Sequence, residues 1–158
     1  MHDVGKLSIS NTILDKPTKL TNEEFLAIKT HPKLGSEILS RIGAFREIAT
    51  LAAEHHEKLD GSGYPLGLGA KDLSLESRLL AVADIYGALS EKRPYREALA
   101  PAQIAAIMDR DIPAKLDPEC YEALRSVMED SRWQHNSYQE PSDDRWSLAS
   151  FDAVEAYI

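Results

Sequence analysis

The chain has five histidines in 158 residues, and four of them, His2, His31, His55 and His56, fall in the first 56 positions. His2 and Asp3 form a dipeptide followed by Gly5 and Lys6, which supplies a neutral imidazole, a carboxylate able to bridge two cations, and an ammonium for a phosphate. Asp84 interrupts the apolar run LLAVADIYGAL; buried there charged and alone it would be costly, so it calls for a cation. Taken singly, each residue has a plainer reading. Asp84 also reads as an arginine partner or a helix cap, the His55–His56 pair as one core and one exposed histidine, and His31, just before Pro32, as a surface or capping residue. Helix neighbours are about 100° apart, so His55 and His56 share an ion only at a frayed helix end or across the notch between them. Taken together, imidazole and carboxylate without thiolate suit iron, manganese or zinc in a catalytic rather than a structural site.

The composition, 43% apolar and 28% charged, suits one globular domain and excludes a disordered or fibrous chain. No apolar run approaches the ~20 residues of a bilayer-spanning helix, and MHDVGKLSIS lacks the layout of a secretory signal, so no membrane insertion is expected. The single cysteine, Cys120, can form neither an internal disulfide nor a Cys-rich zinc site, which points to a reducing compartment and hence the cytoplasm. With 18 basic and 26 acidic residues the net charge is −8, unfavourable to phosphate-driven binding of a nucleic-acid polymer. Bound divalent cations would create a local positive centre that this total does not reveal.

The elements that must position these residues read as helices, giving an all-α fold with no two-residue alternation. Thr21 and Glu24 make a capping box ahead of Phe25, Leu26 and Ile28, and Pro32 is expected to end or kink that helix. A second segment runs from Leu34 to Ile42 and closes at Gly43. Phe45, Ile48, Leu51, Ala52 and His55 recur at helical spacing, which predicts an amphipathic helix over 44–58 with His55 on its apolar face. DGSGYPLGLGA, residues 60–70, cannot continue a helix and can bring backbone close to a ligand. Ser74 caps the next helix, apolar nearly all round; Pro101 opens one through Met108, and Pro118 one to about Glu129. Residues 131–158 turn polar and form a C-terminal tail to which the sequence assigns no role.

The strings HDVGK (2–6), KTHP (29–32), HHEKLDGSGYP (55–65), VADIY (82–86) and RPYR (93–96) occur in an order and spacing that resemble the HD-GYP branch of the HD metal-dependent phosphohydrolases, over about residues 1–125. The resemblance implies an HD-domain-like helical bundle with a Gly-rich GYP loop, holding two or three divalent metals, iron or manganese, and hydrolysing the bacterial second messenger cyclic di-GMP to pGpG or GMP. Carried over by position, Asp3 would bridge two metals, His31, His55 and His56 would hold one, and His2 with Asp84 the other. Lys6, Tyr64, Arg93 and Arg96 would contact the substrate. Asp60, Gly61, Gly63 and Pro65 would shape the loop, and Glu57 would be structural or support the ligands. Asp3 and Lys6 carry the catalytic expectation: divalent ions activate water for attack on phosphorus while Lys6 absorbs phosphoryl charge, with no protein nucleophile required.

Two departures accompany the match. The family's His-Asp pair normally follows further helices that contribute another histidine ligand and often a glutamate, whereas only Met1 precedes His2, so the domain over 1–130 is expected to be truncated at its N-terminus, with a thinner metal cage and apolar surface left to cover. Gly87 stands where the family usually carries a second aspartate. The leading expectation is therefore a phosphodiesterase acting as a signalling output domain. The alternatives are an impaired module that binds nucleotide or docks a signalling partner such as a diguanylate cyclase, and a phosphohydrolase of another phosphoester; a homo-oligomer is open under each.

Overall fold

The computed structural model describes residues 1–92 and 97–129. Those residues are helical with no strand, apart from one isolated bridge between Asp60 and Gly69, as the all-α reading requires. A 3-10 segment, His2–Ser8, leads into α1 (Asn11–Leu14), α2 (Asn22–Ile28), α3 (His31–Ser40), a 3-10 turn Gly43–Phe45, α4 (Arg46–Glu54), α5 (Leu75–Ser90), α6 (Pro101–Met108) and α7 (Pro118–Glu129). No helix among them is long and apolar enough to cross a membrane. Arg93 and Arg96, and the tail 131–158, lie outside the described residues.

The capping box at Thr21 forms as read, with the Thr21 amide donating to the Glu24 carboxylate at 2.7 Å and the Glu24 amide to Thr21 Oγ1 at 3.3 Å. Pro32 does not end α2, which stops at Ile28; it opens α3 in the first turn, where proline forfeits no hydrogen bond and its fixed φ suits the helix. The segment expected over Leu34–Ile42 therefore starts three residues earlier and carries His31 as its first residue. The helix expected over 44–58 is also shorter, because Gly43–Phe45 is a 3-10 turn and α4 ends at Glu54. The Glu57 amide bonds back to Glu54 O at 2.8 Å, a three-residue turn that takes His55 and His56 off the helical spacing.

Ser74 caps α5 as expected, accepting from the Ser77 amide at 3.2 Å. The helix is less uniformly covered than its sequence suggests: Ala81, Val82, Ile85, Ala88 and Leu89 are buried, but Leu75 and Leu79, one turn apart, are exposed.

Two packed clusters flank the chemistry-bearing residues. Val82, Ile85 and Leu89 of α5 pack with Ile104 and Met108 of α6 and with Leu116, Cys120 and Tyr121 at α7. Leu39 of α3 packs with Ala49 and Ala52 of α4, with Val4, Phe45 and Ile48 against them. Small residues let the first segment press onto α3: a Cβ on Gly5 would lie 1.9 Å from His31 O and 2.6 Å from Gly35 N, so this contact admits only glycine. Arg78 ties the far side together, donating to Leu73 O at 3.1 Å and pairing with Asp117 at 3.2 Å. Asp117 in turn accepts from the amides of Glu119 and Cys120 at the start of α7.

Gly5→Ala should cost about 1–3 kcal/mol, the range for overpacking a tight contact. Gly87→Ala, whose added Cβ meets nothing within 4 Å, should gain up to about 1 kcal/mol as a helix-interior glycine replacement. Urea unfolding of both variants, with an unchanged slope, is the check.

Candidate metal centre

Four separate elements deliver the imidazoles and carboxylates to one place. His2 and Asp3 come from the first 3-10 segment, His31 from the first turn of α3, His55 and His56 from the turn after α4, and Asp84 from the middle of α5. One ligand atom each from Asp3, His31, His55 and His56 lies within 4.8 Å of all the others. His2 Nε2 adjoins them, 3.7 Å from Asp3 Oδ2 and 3.4 Å from Asp84 Oδ1, and His56 Nδ1 lies 3.6 Å from Asp84 Oδ2. All six residues that the sequence puts forward as ligands are thus neighbours. Because α4 ends before them, His55 and His56 bring their ring centroids to 4.0 Å, the frayed-end geometry that adjacent ligands need.

The ring orientations are fixed from behind. His31 Nδ1 lies 2.8 Å from Ile28 O and His55 Nδ1 lies 2.9 Å from Ala52 O, so in the neutral rings these nitrogens carry the proton and each Nε2 keeps its lone pair. The two Nε2 atoms are 3.2 Å apart, and Asp3 Oδ1 stands 3.2 Å from the first and 3.8 Å from the second. In that tautomer three electron-rich atoms converge. Asp3 Oδ1 is the one buried side-chain polar atom without a hydrogen-bond partner among the described residues. A divalent cation satisfies all three atoms at once, and the donor set of imidazole and carboxylate is one such cations take.

Burial works against the Asp3 charge, but the imidazoles of His31 and His55 and the Lys6 ammonium outweigh it and hold the carboxyl well below its ordinary range. Lys6 Nζ bonds Asp3 Oδ2 at 2.8 Å, so the two carboxylate oxygens face different partners. Burial, reinforced by the neighbouring imidazoles, pushes His56 down to about 2, leaving it neutral and able to donate a lone pair. The hydrogen bond to Asp84 raises His2, with burial opposing. Burial and then the charges of Asp84 and Asp3 push the Tyr64 phenol up, so it stays protonated.

The Gly-rich loop closes the site from one side. Tyr64 lays its ring against His56 at 4.8 Å between centroids, and its amide donates to His56 O at 3.2 Å. Asp60 accepts from the Ser62 amide at 2.9 Å, and Gly61 and Gly67 take φ of 77° and 68°, in the left-handed region. A Cβ on Gly63 would fall 2.4 Å from the Glu57 Cα, which makes glycine obligatory where the loop crosses the ligand turn. Pro65 follows a cis peptide bond. Glu57 organises what comes next: only 2% exposed, it accepts from the amides of Leu66 at 2.6 Å, Gly67 at 3.2 Å and Leu68 at 3.0 Å. The sequence suggests a structural role for Glu57 but not its partners, which lie nine to eleven residues away.

Glu54, which sequence reasoning missed, is buried and accepts from Ser77 Oγ, joining α4 to α5 beside the ligands. The signal for it was present: a carboxylate immediately before His55 near the end of an otherwise apolar helix face.

An HD-domain family model matches residues 1–120. The 3'3'-cGAMP-specific phosphodiesterase 3 of Vibrio cholerae serotype O1 is 44% identical over 128 residues, spanning 81% of this chain and 28% of that protein. The cyclic di-GMP phosphodiesterase response regulator RpfG of Xanthomonas campestris pv. campestris is 42% identical over 126 residues, spanning 78% of this chain and 33% of that protein. A cyclic di-GMP phosphodiesterase of Vibrio cholerae serotype O1 is 40% identical over 136 residues, 82% of this chain and 28% of that protein. The chain belongs to the HD-domain family, in its HD-GYP branch. It spans 28 to 33% of the length of these curated relatives.

Two substitutions separate the ligands from the loop. His55→Ala should weaken Mn(II) binding by at least about tenfold, since it removes one of the converging lone pairs; calorimetric titration reads this directly. Glu57→Gln sets an amide NH2 against the backbone donors it replaces and should cost about 1–3 kcal/mol, with faster hydrogen exchange at the amides of Leu66, Gly67 and Leu68.

Proposed function

We propose that the chain is a metal-dependent phosphodiesterase that opens cyclic dinucleotides, cyclic di-GMP in particular, to pGpG or GMP. The observation that carries this reading is Asp3 Oδ1, a buried, ionised oxygen without a hydrogen bond beside two imidazole lone pairs. Family membership and the printed names of the relatives support the reaction class. Iron or manganese suits the donor set, at two ions or three. His31, His55 and His56 would hold one ion and His2 with Asp84 another, with Asp3 serving both.

When bound, such ions supply an activated water and take up phosphoryl charge. The chain's own residues do the rest. The carbonyls of Ile28 and Ala52 keep the His31 and His55 lone pairs turned inward. Lys6, beside Asp3 Oδ2, places a positive charge at the reacting phosphate. Tyr64, held against His56 by a loop that Asp60, Gly61, Gly63 and Pro65 shape and Glu57 fastens, walls the substrate in. Arg93 and Arg96, by the family resemblance, would contact the substrate's phosphates and guanine bases. The whole serves as the cytoplasmic output domain of a longer signalling protein.

Gly87 favours a second reading. One turn beyond Asp84, where the family usually carries a carboxylate, its absent side chain leaves open space, which fits a module that binds cyclic dinucleotide or a diguanylate cyclase with little turnover.

The test is metal content of the anaerobically purified chain together with hydrolysis of cyclic di-GMP, 3'3'-cGAMP and bis(4-nitrophenyl) phosphate under added Fe(II) or Mn(II). Bound metal with turnover of a cyclic dinucleotide is the expected result. Bound metal with nucleotide binding and no turnover selects the second reading, and a folded chain that holds no metal overturns both.

A further inference from the structure

Lys29, the first residue of the KTHP string, occupies the C-terminal cap of α2, two residues before His31. Its side chain is half-buried, and its ammonium lies over two rings, 5.0 Å from the Phe25 centroid and 4.8 Å from that of Tyr64. Tyr64 is the residue whose ring rests on His56, so the Lys29 charge stands one aromatic ring away from the ligand cluster. Among the described residues no carboxylate lies within ion-pair distance of it. Two other lysines near this end of the molecule are differently placed: Lys6 is paired with Asp3 at 2.8 Å and Lys16 with Glu24 at 2.6 Å. Aromatic rings attract an ammonium without neutralising it. In a chain of net charge −8, a cation held over two rings beside a phosphodiester site, with no counter-charge among the described residues, is positioned for an anion.

We propose that Lys29 is a specificity residue that binds the non-reacting phosphate of a cyclic dinucleotide, with Phe25 and Tyr64 presenting its ammonium. This rests on the phosphodiesterase reading above and adds to it. A cyclic dinucleotide carries two phosphodiesters, each with one negative charge, and only one of them can occupy the position beside Asp3 and Lys6. The second sits a ribose away and needs a cation of its own. Tyr64 accordingly acts through its ring as the platform for that cation, besides any contact of its hydroxyl.

Lys29→Met and Lys29→Arg in the Mn(II)-loaded chain test this by a ratio. For each, kcat/KM is measured for cyclic di-GMP, or for 3'3'-cGAMP if that is what the unmodified chain cleaves, and for bis(4-nitrophenyl) phosphate, which has one phosphodiester and nothing for Lys29 to hold. Loss of a charged phosphate contact lowers the ratio of the first to the second by about tenfold or more in K29M, chiefly through KM, and K29R restores most of it. A merely structural lysine lowers both substrates alike, so an unchanged ratio overturns the proposal while leaving the phosphodiesterase reading in place. Should K29M fail to fold, K29Q gives the same ratio. An unmodified chain that cleaves bis(4-nitrophenyl) phosphate but no cyclic dinucleotide overturns the substrate assignment, and the role of Lys29 with it.

Discussion

The convergence of Asp3 Oδ1 with the Nε2 atoms of His31 and His55 is the constraint on which the surrounding structure turns. Two imidazoles whose Nδ1 atoms bond backbone carbonyls bring their Nε2 atoms 3.2 Å apart, with a carboxylate oxygen at the same distance from one of them. A buried carboxylate oxygen beside two imidazole nitrogens is costly unless a cation balances it. The neighbourhood nonetheless enforces the arrangement. Gly5 lets the Asp3 segment press against α3, the early end of α4 brings adjacent histidines together, and Glu54 with Ser77 locks that end to α5.

The second organising device is the Glu57 carboxylate. It sits directly after the two histidines and gathers three consecutive amides from the far end of the glycine-rich loop. A loop of this composition has few side chains with which to hold itself, so a buried anion does so through the backbone, while Gly63 lets the chain pass within contact of the ligand turn. The ring of Tyr64 is thereby set against His56 on one hand and the Lys29 ammonium on the other. Ligands, loop and rim are one connected unit rather than three.

Much of this was legible in the sequence. The capping box of α2, the proline starts of α6 and α7, and the serine cap of α5 follow from local backbone chemistry, and the six ligand candidates are distinctive residue types in distinctive strings. What the sequence did not disclose depends on contacts between distant positions. Pro32 suits either the end of one helix or the start of the next, and the structure has it in the first turn of α3. The periodicity that extends α4 to 58 is real, but the turn closed by the Glu57 amide overrides it. Lys29 looks like any solvated lysine until Phe25 and Tyr64 are seen on it.

A cation is expected among Asp3, His31 and His55. Anomalous diffraction from crystals of the Mn(II)-loaded chain, collected at the manganese edge, would locate it. The expected peak lies about 2.0–2.3 Å from Asp3 Oδ1 and from the Nε2 atoms of His31 and His55. A manganese-saturated crystal with no peak at that point, or with its metal bound elsewhere, would contradict it.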